Sequence, residues 1–268
     1  MIRLSMNETT TYGWSFNEDV INYKRAGYSG IGVCESKLKM FGEEAGIRML
    51  VDSGLKVSSL SAGGGFTGEK DKTRQQCIDA AQSTIQLACC MDADCVILRT
   101  GGRSGHIANH ARRLIRDAIV DLVDMAEAFQ VDLAIEPMHA NCSQDEDVLN
   151  TLPAAIELLE QIGSERLKIA FDSYHLGFGE IDFAQIEQIA NRVAIVQLGD
   201  GFHLPSDLQN RCPIGSGIVP NGEIIMALSA GGYDGFYEIE LRGADIEHQL
   251  YDDILAESLT ASLELASR

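Results

Sequence analysis

The chain has 268 residues, a hydrophobic share of 45% and a formal charge of −19. That length fits one large α/β domain or two small ones, and the apolar share is ample for a soluble core. So acidic a balance argues against a nucleic-acid partner, whose phosphates demand clustered Lys and Arg, and suits small-molecule chemistry better. The seven cysteines include no Cys-x-x-Cys pair, so they read as reduced thiols of a cytoplasmic protein rather than as a zinc or redox motif. On that reading the glycosylation patterns Asn7-Glu-Thr9 and Asn141-Cys-Ser143 go unused. No membrane association is expected: the N-terminus has no apolar signal stretch, and no apolar run reaches the roughly 20 residues of a membrane helix.

Along the chain, strand-like and helix-like patterns alternate. A first β-rich run lies near 2–5, and Met6-Asn-Glu-Thr-Thr-Thr-Tyr-Gly13 follows it without the Gly-rich phosphate turn of a doubly wound sheet. Asn17 is placed to cap a helix running to Gly27. Strand runs then recur near 30–34, 55–61, 94–99, 131–136, 167–172, 193–198 and 236–241. Between them, 72–91 and 108–129 are long, Gly-free and rich in Ala, Ile and Leu at helical spacing. Asp182 caps a helix ending near Asn191, and 246–266 reads as a closing helix. No Pro/Gly/Ser linker divides the chain. Eight strands with helical crossovers over residues 1–268 predict a single (β/α)8 TIM barrel domain. Two segments are candidate mouth loops: the irregular stretch 199–222, and Ala62-Gly-Gly-Gly-Phe-Thr-Gly-Glu-Lys70, which is either a Gly-rich cover or a plain solvent loop.

Five strand runs end in a carboxylate or amide: Glu35, Glu136, Asp172, Gln197 and Glu240. Parallel barrel strands send their C-terminal ends to one rim, so the last four, ending strands five to eight, are consecutive around it. An acid cluster of that kind is costly without a cation. Three carboxylates and one amide oxygen form an all-oxygen set, which predicts one divalent metal ion, with Mn²⁺ or Mg²⁺ favoured over Co²⁺ or Zn²⁺. Ligands carrying three negative charges leave the site net negative, which favours neutral polyols over phosphates. Glu35 is equally well explained by a surface ion pair with Lys37 or Lys39. His175, three residues past Asp172, is placed to bind a substrate oxygen or shuttle a proton. His139 is an even choice between site and structure. His106 and His110 follow three glycines with no accompanying Glu, so they mark a rim loop and a helix start rather than a metal site. Trp14 reads as packing under a loop.

Ala134-Ile-Glu136-Pro-Met-His139, Phe171-Asp172-Ser-Tyr-His175, Val196-Gln197-Leu-Gly-Asp200 and Gly231-Gly-Tyr-Asp-Gly235 followed by Glu240 resemble the sugar phosphate isomerase/epimerase family with its xylose-isomerase-like TIM barrel. The resemblance implies metal ligands at Glu136, Asp172, Gln197 and Glu240. It also implies a substrate-contacting arginine at Arg211, before a turn in which Ser216 stands where the family has Glu. The implied activity is isomerisation or epimerisation of a sugar, keto-sugar or keto-cyclitol through a metal-stabilised enediolate. Glu136 and Glu240 would then exchange protons with the carbon from opposite faces. The alternative on the same scaffold is dehydration of a keto-inositol or a 3-dehydroshikimate-like acid. A carboxylate substrate needs cationic groups, and Arg211, Arg99 and Arg103 are the candidates. An apurinic endonuclease on this barrel would need a His-rich trinuclear zinc site and a basic groove. Gln197, six histidines and the acidic charge argue against it. A sugar-binding relic has no reason to keep four ligands.

Overall fold

The computed structural model describes residues 2–69, 71–142 and 148–267; Lys70 of the Gly-rich loop and Ser143 of the second Asn-x-Ser pattern lie outside them. Eight parallel strands close into a barrel in sequence order. They are β1 Arg3–Asn7, β2 Gly30–Val33, β3 Lys56–Ala62, β4 Cys95–Leu98, β5 Asp132–Ile135, β6 Leu167–Asp172, β7 Val193–Leu198 and β8 Phe236–Ile239. Each falls on an expected run, because short apolar, β-branched stretches bounded by polar turns are what a strand buried on both faces requires.

Helices pack their apolar faces on the outside of the barrel, and the main core lies between the two layers. The helix Ala108–Phe129 spans the expected range, and Arg74–Cys90 is slightly shorter than its pattern. The first helix, Phe16–Ala26, begins earlier than Asn17 suggested. Ser15 is its N-cap and forms a capping box with Glu18, while Gly27 closes it with φ +97°. The closing helix is Tyr251–Leu265, preceded by a separate turn at Ala244–Glu247. Among the described residues no helix is long and apolar enough to cross a membrane.

The barrel interior changes character along its axis. An apolar layer of Cys95, Ile97, Ala134, Ala170, Ile195 and Phe236 fills one end. Gly30 makes room for Phe236, since a Cβ there would lie 2.6 Å from the ring. Two residues further along β8, Glu238 is fully buried and accepts hydrogen bonds from Asn7 Nδ2, Ser58 Oγ and Ser59 Oγ, each at 2.7 Å. Gly32 leaves the space its carboxylate needs. Two residues beyond again stands Glu240, at the mouth.

Candidate active site

The C-terminal ends of β5 to β8 build the mouth. Glu136 and Glu240 each lie one residue past their strands, yet the ladder still holds them: their N–H groups donate to Leu98 O and Leu198 O, both at 3.1 Å. Asp172 and Gln197 are register partners across β6 and β7. Gln197 Nε2 donates to Glu240 Oε2, and its Oε1 is buried without a partner. Asp172 Oδ1 accepts from Tyr174 N, and Oδ2 accepts from Arg211 Nη2, both at 2.7 Å.

Arg211 is only 1% exposed, an unusual state for a guanidinium. Besides Asp172 it reaches Glu240, donating to its carbonyl at 2.7 Å and lying 3.8 Å from Oε1. Its guanidinium carbon sits 4.8 Å from the Tyr174 ring centroid. Gly199 is needed here, because a Cβ would come within 2.9 Å of Arg211 Nη1. Burial works against the positive charge, but the carboxylates of Asp172, Glu240 and Glu136 outweigh it and hold Arg211 above its ordinary value.

The loop that carries Arg211 is organised by Asp200. Its carboxylate accepts from the N–H groups of Gly201, Gly215, Gly217 and Val219 at 2.8–3.1 Å. Gly217 must be glycine, since a Cβ would meet Asp200 Oδ1 at 2.2 Å. The turn containing Ser216 is therefore shaped by backbone donors converging on one acid. Arg211 N also donates to Arg242 O at 2.8 Å, tying this loop to the segment after β8.

Glu136, Asp172 and His175 present ligand atoms within 4.8 Å of one another, and all three are buried. Donors on opposite sides of one ion, at 2.0–2.6 Å each, stand roughly 4–5 Å apart, so the spacing suits a divalent cation. The orphaned Gln197 Oε1 is a further oxygen donor in want of a partner. The residues therefore fit a metal ion. His175 fits it less well than the oxygens. His139 N–H donates to His175 Nδ1 at 3.3 Å, which places the proton of a neutral ring on Nε2. Burial holds the ring neutral, well below its ordinary value, with Arg211 adding to the effect. An Nε2–H lying 3.8 Å from Glu136 and 3.7 Å from Asp172 is a donor rather than a ligand. Burial pushes the Glu136 carboxyl up to about 7, Arg99 opposing and Glu240 and Asp172 reinforcing.

A cavity of about 250 Å³ opens onto Glu136, Gln197 and Glu240, walled by Arg99, Arg242, Ser61, Thr9 and Ser36 among others. That is small for a ligand site, which typically runs to roughly 300–1,000 Å³. The expectation of a net negative site needs revision here, because Arg99, Arg211 and Arg242 all reach it. Arg99 Nε lies 3.7 Å from Glu136 Oε2. Arg242 is a residue the sequence reading passed over, although it lies two positions past Glu240 on the same rim.

The other candidates stand aside. Glu35 also lines the cavity but pairs with Lys39 at 2.6 Å, whereas Lys37 is buried against Asp19 at 2.6 Å. His139 serves through its backbone and lines a neighbouring cleft. His106 and His110 stack edge-on, 4.9 Å apart, at the start of a helix. Trp14 packs edge-on against Tyr251 at 5.0 Å. The Gly-rich segment is tied to the β4 loop: Phe66 is buried and its N–H donates to Thr100 O at 3.3 Å, and Thr67 Oγ1 donates to Gly102 O at 2.7 Å.

An eight-stranded parallel barrel with acids, an amide and arginines converging at its C-terminal mouth defines the architectural class. The chain belongs to the xylose isomerase-like TIM barrel family, whose model matches residues 21–261. It is similar to the L-ribulose-5-phosphate 3-epimerase UlaE of Escherichia coli O157:H7, with 27% identity over 202 residues, 73% of this chain and 68% of the relative. A solved protein from Sinorhizobium meliloti 1021 superposes with a TM-score of 0.90 at 26% identity, covering 98% of both chains. The zinc-bound IolI protein superposes with a TM-score of 0.85 at 17% identity, over 99% of this chain and 98% of that one.

Proposed function

We propose that the protein is a metal-dependent epimerase or isomerase of a small keto-sugar or related polyol. The convergence of Glu136, Asp172, Gln197 and Glu240 around two orphaned polar atoms, Gln197 Oε1 and His175 Nε2, carries this reading. Its support outside the chain is the likeness to UlaE, a sugar phosphate 3-epimerase by name, and to the zinc-bound IolI.

Glu136, Asp172, Gln197 and Glu240 would hold the ion, with manganese or magnesium suited to their oxygens. When bound, such an ion acidifies the C–H beside a substrate carbonyl. The chain supplies the rest. Glu136 and Glu240, from β5 and β8, flank the carbon and act as the proton acceptor and proton donor. Return of the proton to the same carbon inverts it; return to its neighbour interchanges aldose and ketose. His175 donates its Nε2–H to a substrate oxygen. Arg211, fixed by Asp172 and by the Glu240 carbonyl, positions a hydroxyl or carbonyl through its remaining N–H groups. Cys34, Cys77, Cys89, Cys90, Cys95 and Cys212 form no disulfide among the described residues, which suits a reducing compartment such as the cytoplasm.

Incubation with Mn²⁺ and a panel of ketopentoses, ketohexoses and their phosphates in D₂O tests this directly. Deuterium should enter beside the carbonyl of at least one substrate, and the signal should disappear in Glu136→Gln and Glu240→Gln. No incorporation across the panel, or undiminished incorporation in both variants, contradicts the assignment.

A further inference from the structure

Two guanidinium groups in the cavity wall have no task in the chemistry above. Arg99 follows β4, and its backbone is clamped: a Cβ at Gly64 would lie 2.0 Å from Arg99 O, and one at Gly101 would lie 2.9 Å from Gly65. Its side chain is 43% exposed, and among the described residues its ion pair runs through Nε to Glu136, so its terminal nitrogens are not used in that contact. Arg242 is half-buried, and its carbonyl is held by Arg211 N. Among the described residues its guanidinium makes no ion pair and no hydrogen bond, although it lines the same cavity. Arg99 and Arg242 therefore face the same cavity.

The charges define what is missing. Glu136, Asp172 and Glu240 are balanced by Arg211 together with the divalent ion proposed above. Glu35 is answered by Lys39. Arg99 and Arg242 are then surplus, in a chain that otherwise carries a formal charge of −19. Confining two like charges in one small cavity is unfavourable unless an anion enters between them. Ser36 and Ser61 line the same space and bring hydroxyls to it, whereas the Thr9 hydroxyl is committed to Asn7 Oδ1 at 2.7 Å.

We propose that Arg99 and Arg242 form a clamp for an anionic group on the substrate, of the phosphate-ester or carboxylate kind, remote from the carbon that exchanges its proton. Two guanidiniums match the charge of a phosphate monoester, about −1.5 to −2, better than that of a single carboxylate. Neutral sugars would leave the pair unanswered. The inference rests on the epimerase reading for where the reacting carbon lies, but the clamp itself can be measured without turnover.

The test titrates the Mn²⁺-loaded full chain, and its Arg99→Gln and Arg242→Gln variants, with inorganic phosphate and separately with acetate, by calorimetry. In parallel, deuterium exchange is followed on a ketopentose and on its 5-phosphate. Phosphate binding should weaken about 10- to 100-fold in each variant, as expected for loss of a charge-assisted hydrogen-bonded contact. KM for the 5-phosphate should rise correspondingly while kcat moves less. Tighter binding of acetate than of phosphate, with the same loss in the variants, would identify a carboxylate and keep the clamp. Phosphate and acetate affinities unchanged in both variants would overturn it, as would a free ketopentose exchanged as efficiently as its 5-phosphate. Variant-sensitive phosphate binding without exchange on any ketose would uphold the clamp and sink the epimerase reading instead.

Discussion

Glu238 on β8 and Glu240 just past its end stand two residues apart, and their carboxylates keep different company. Inside the barrel Glu238 accepts from one amide and two hydroxyls, all neutral donors at 2.7 Å, and needs nothing further. At the mouth Glu240 has one amide donor, a guanidinium at 3.8 Å and two more acids in the same cluster. Burial, with the Glu240 charge adding, raises the Glu238 carboxyl, and its three donors only temper that. The contrast separates two uses of an expensive group. An acid answered by neutral donors is part of the fold, whereas acids gathered around Arg211, Arg99 and an orphaned amide oxygen are, on the proposed reading, a cation site.

The largest effect that tests this contrast is catalytic. Glu240→Gln should lower turnover by about 10²–10⁴-fold, the usual worth of a positioned proton-transfer group, and leave the melting temperature nearly unchanged. Exchange kinetics and a thermal melt on the same sample decide it. Glu238→Ala should do the reverse. It strands Asn7, Ser58 and Ser59 without their acceptor, at about 1–3 kcal/mol of stability measured by urea unfolding. A variant pair in which Glu238→Ala is silent in stability would break the distinction.

Asp200 extends the comparison to the loop. Asp200→Asn keeps the shape but weakens the hub of four backbone donors, so a loss of about 1 kcal/mol is expected. A rise in KM should accompany it, since that loop carries Arg211. Equal KM in variant and wild type would show that Asp172 and the Glu240 carbonyl hold Arg211 without help from the Asp200 hub.

The smallest effect concerns Glu8, at the end of β1, where Lys37 is buried between Asp19 and the carbonyls of Glu8 and Thr11. Burial and the neighbouring Asp19 carboxylate push the Glu8 carboxyl well above its usual 4.5, and a proton on its unpartnered Oε1 relieves both. Because the folded value is raised, the folded state binds a proton that the unfolded chain has already lost. Stability from this source is full below the usual carboxylate range and declines as pH rises through the raised value. Glu8→Gln should therefore flatten the decline of unfolding free energy as pH rises beyond the usual carboxylate range, read from urea curves at several pH values. A parallel decline in wild type and variant would exclude Glu8 as its cause.

How much of this the sequence revealed follows from what each residue depends on. The strands were legible because a strand buried on both faces must be a short apolar run. The ends at Glu136, Asp172, Gln197 and Glu240 were legible because polarity at such an end breaks the run. Ser15 lost to Asn17 in the reading although the Ser-x-x-Glu box was present, a local signal simply outweighed. The helices Glu35–Phe41, Glu43–Ser53, Leu152–Ile162 and Asn221–Ala230 were not singled out, although Thr151, Pro153 and Gly163 punctuate the third of them. Glu238, Glu8 and Asp200 could not be assigned their roles, because their partners lie far along the chain. Asn7, for example, meets Glu238 only when the first and last strands close the barrel. Arg242 was hidden for a related reason: only the assembled mouth shows its guanidinium in the cavity wall without an ion pair or hydrogen bond among the described residues.

The central claim is that the acids at the mouth assemble to hold one divalent ion. Its most direct test is elemental analysis of the full chain after loading with Mn²⁺ and removal of free metal by gel filtration, beside Glu240→Gln treated identically. About one manganese per wild-type chain, and clearly less in the variant, is the predicted result. No manganese retained by the wild type, or equal retention by the two proteins, would contradict it.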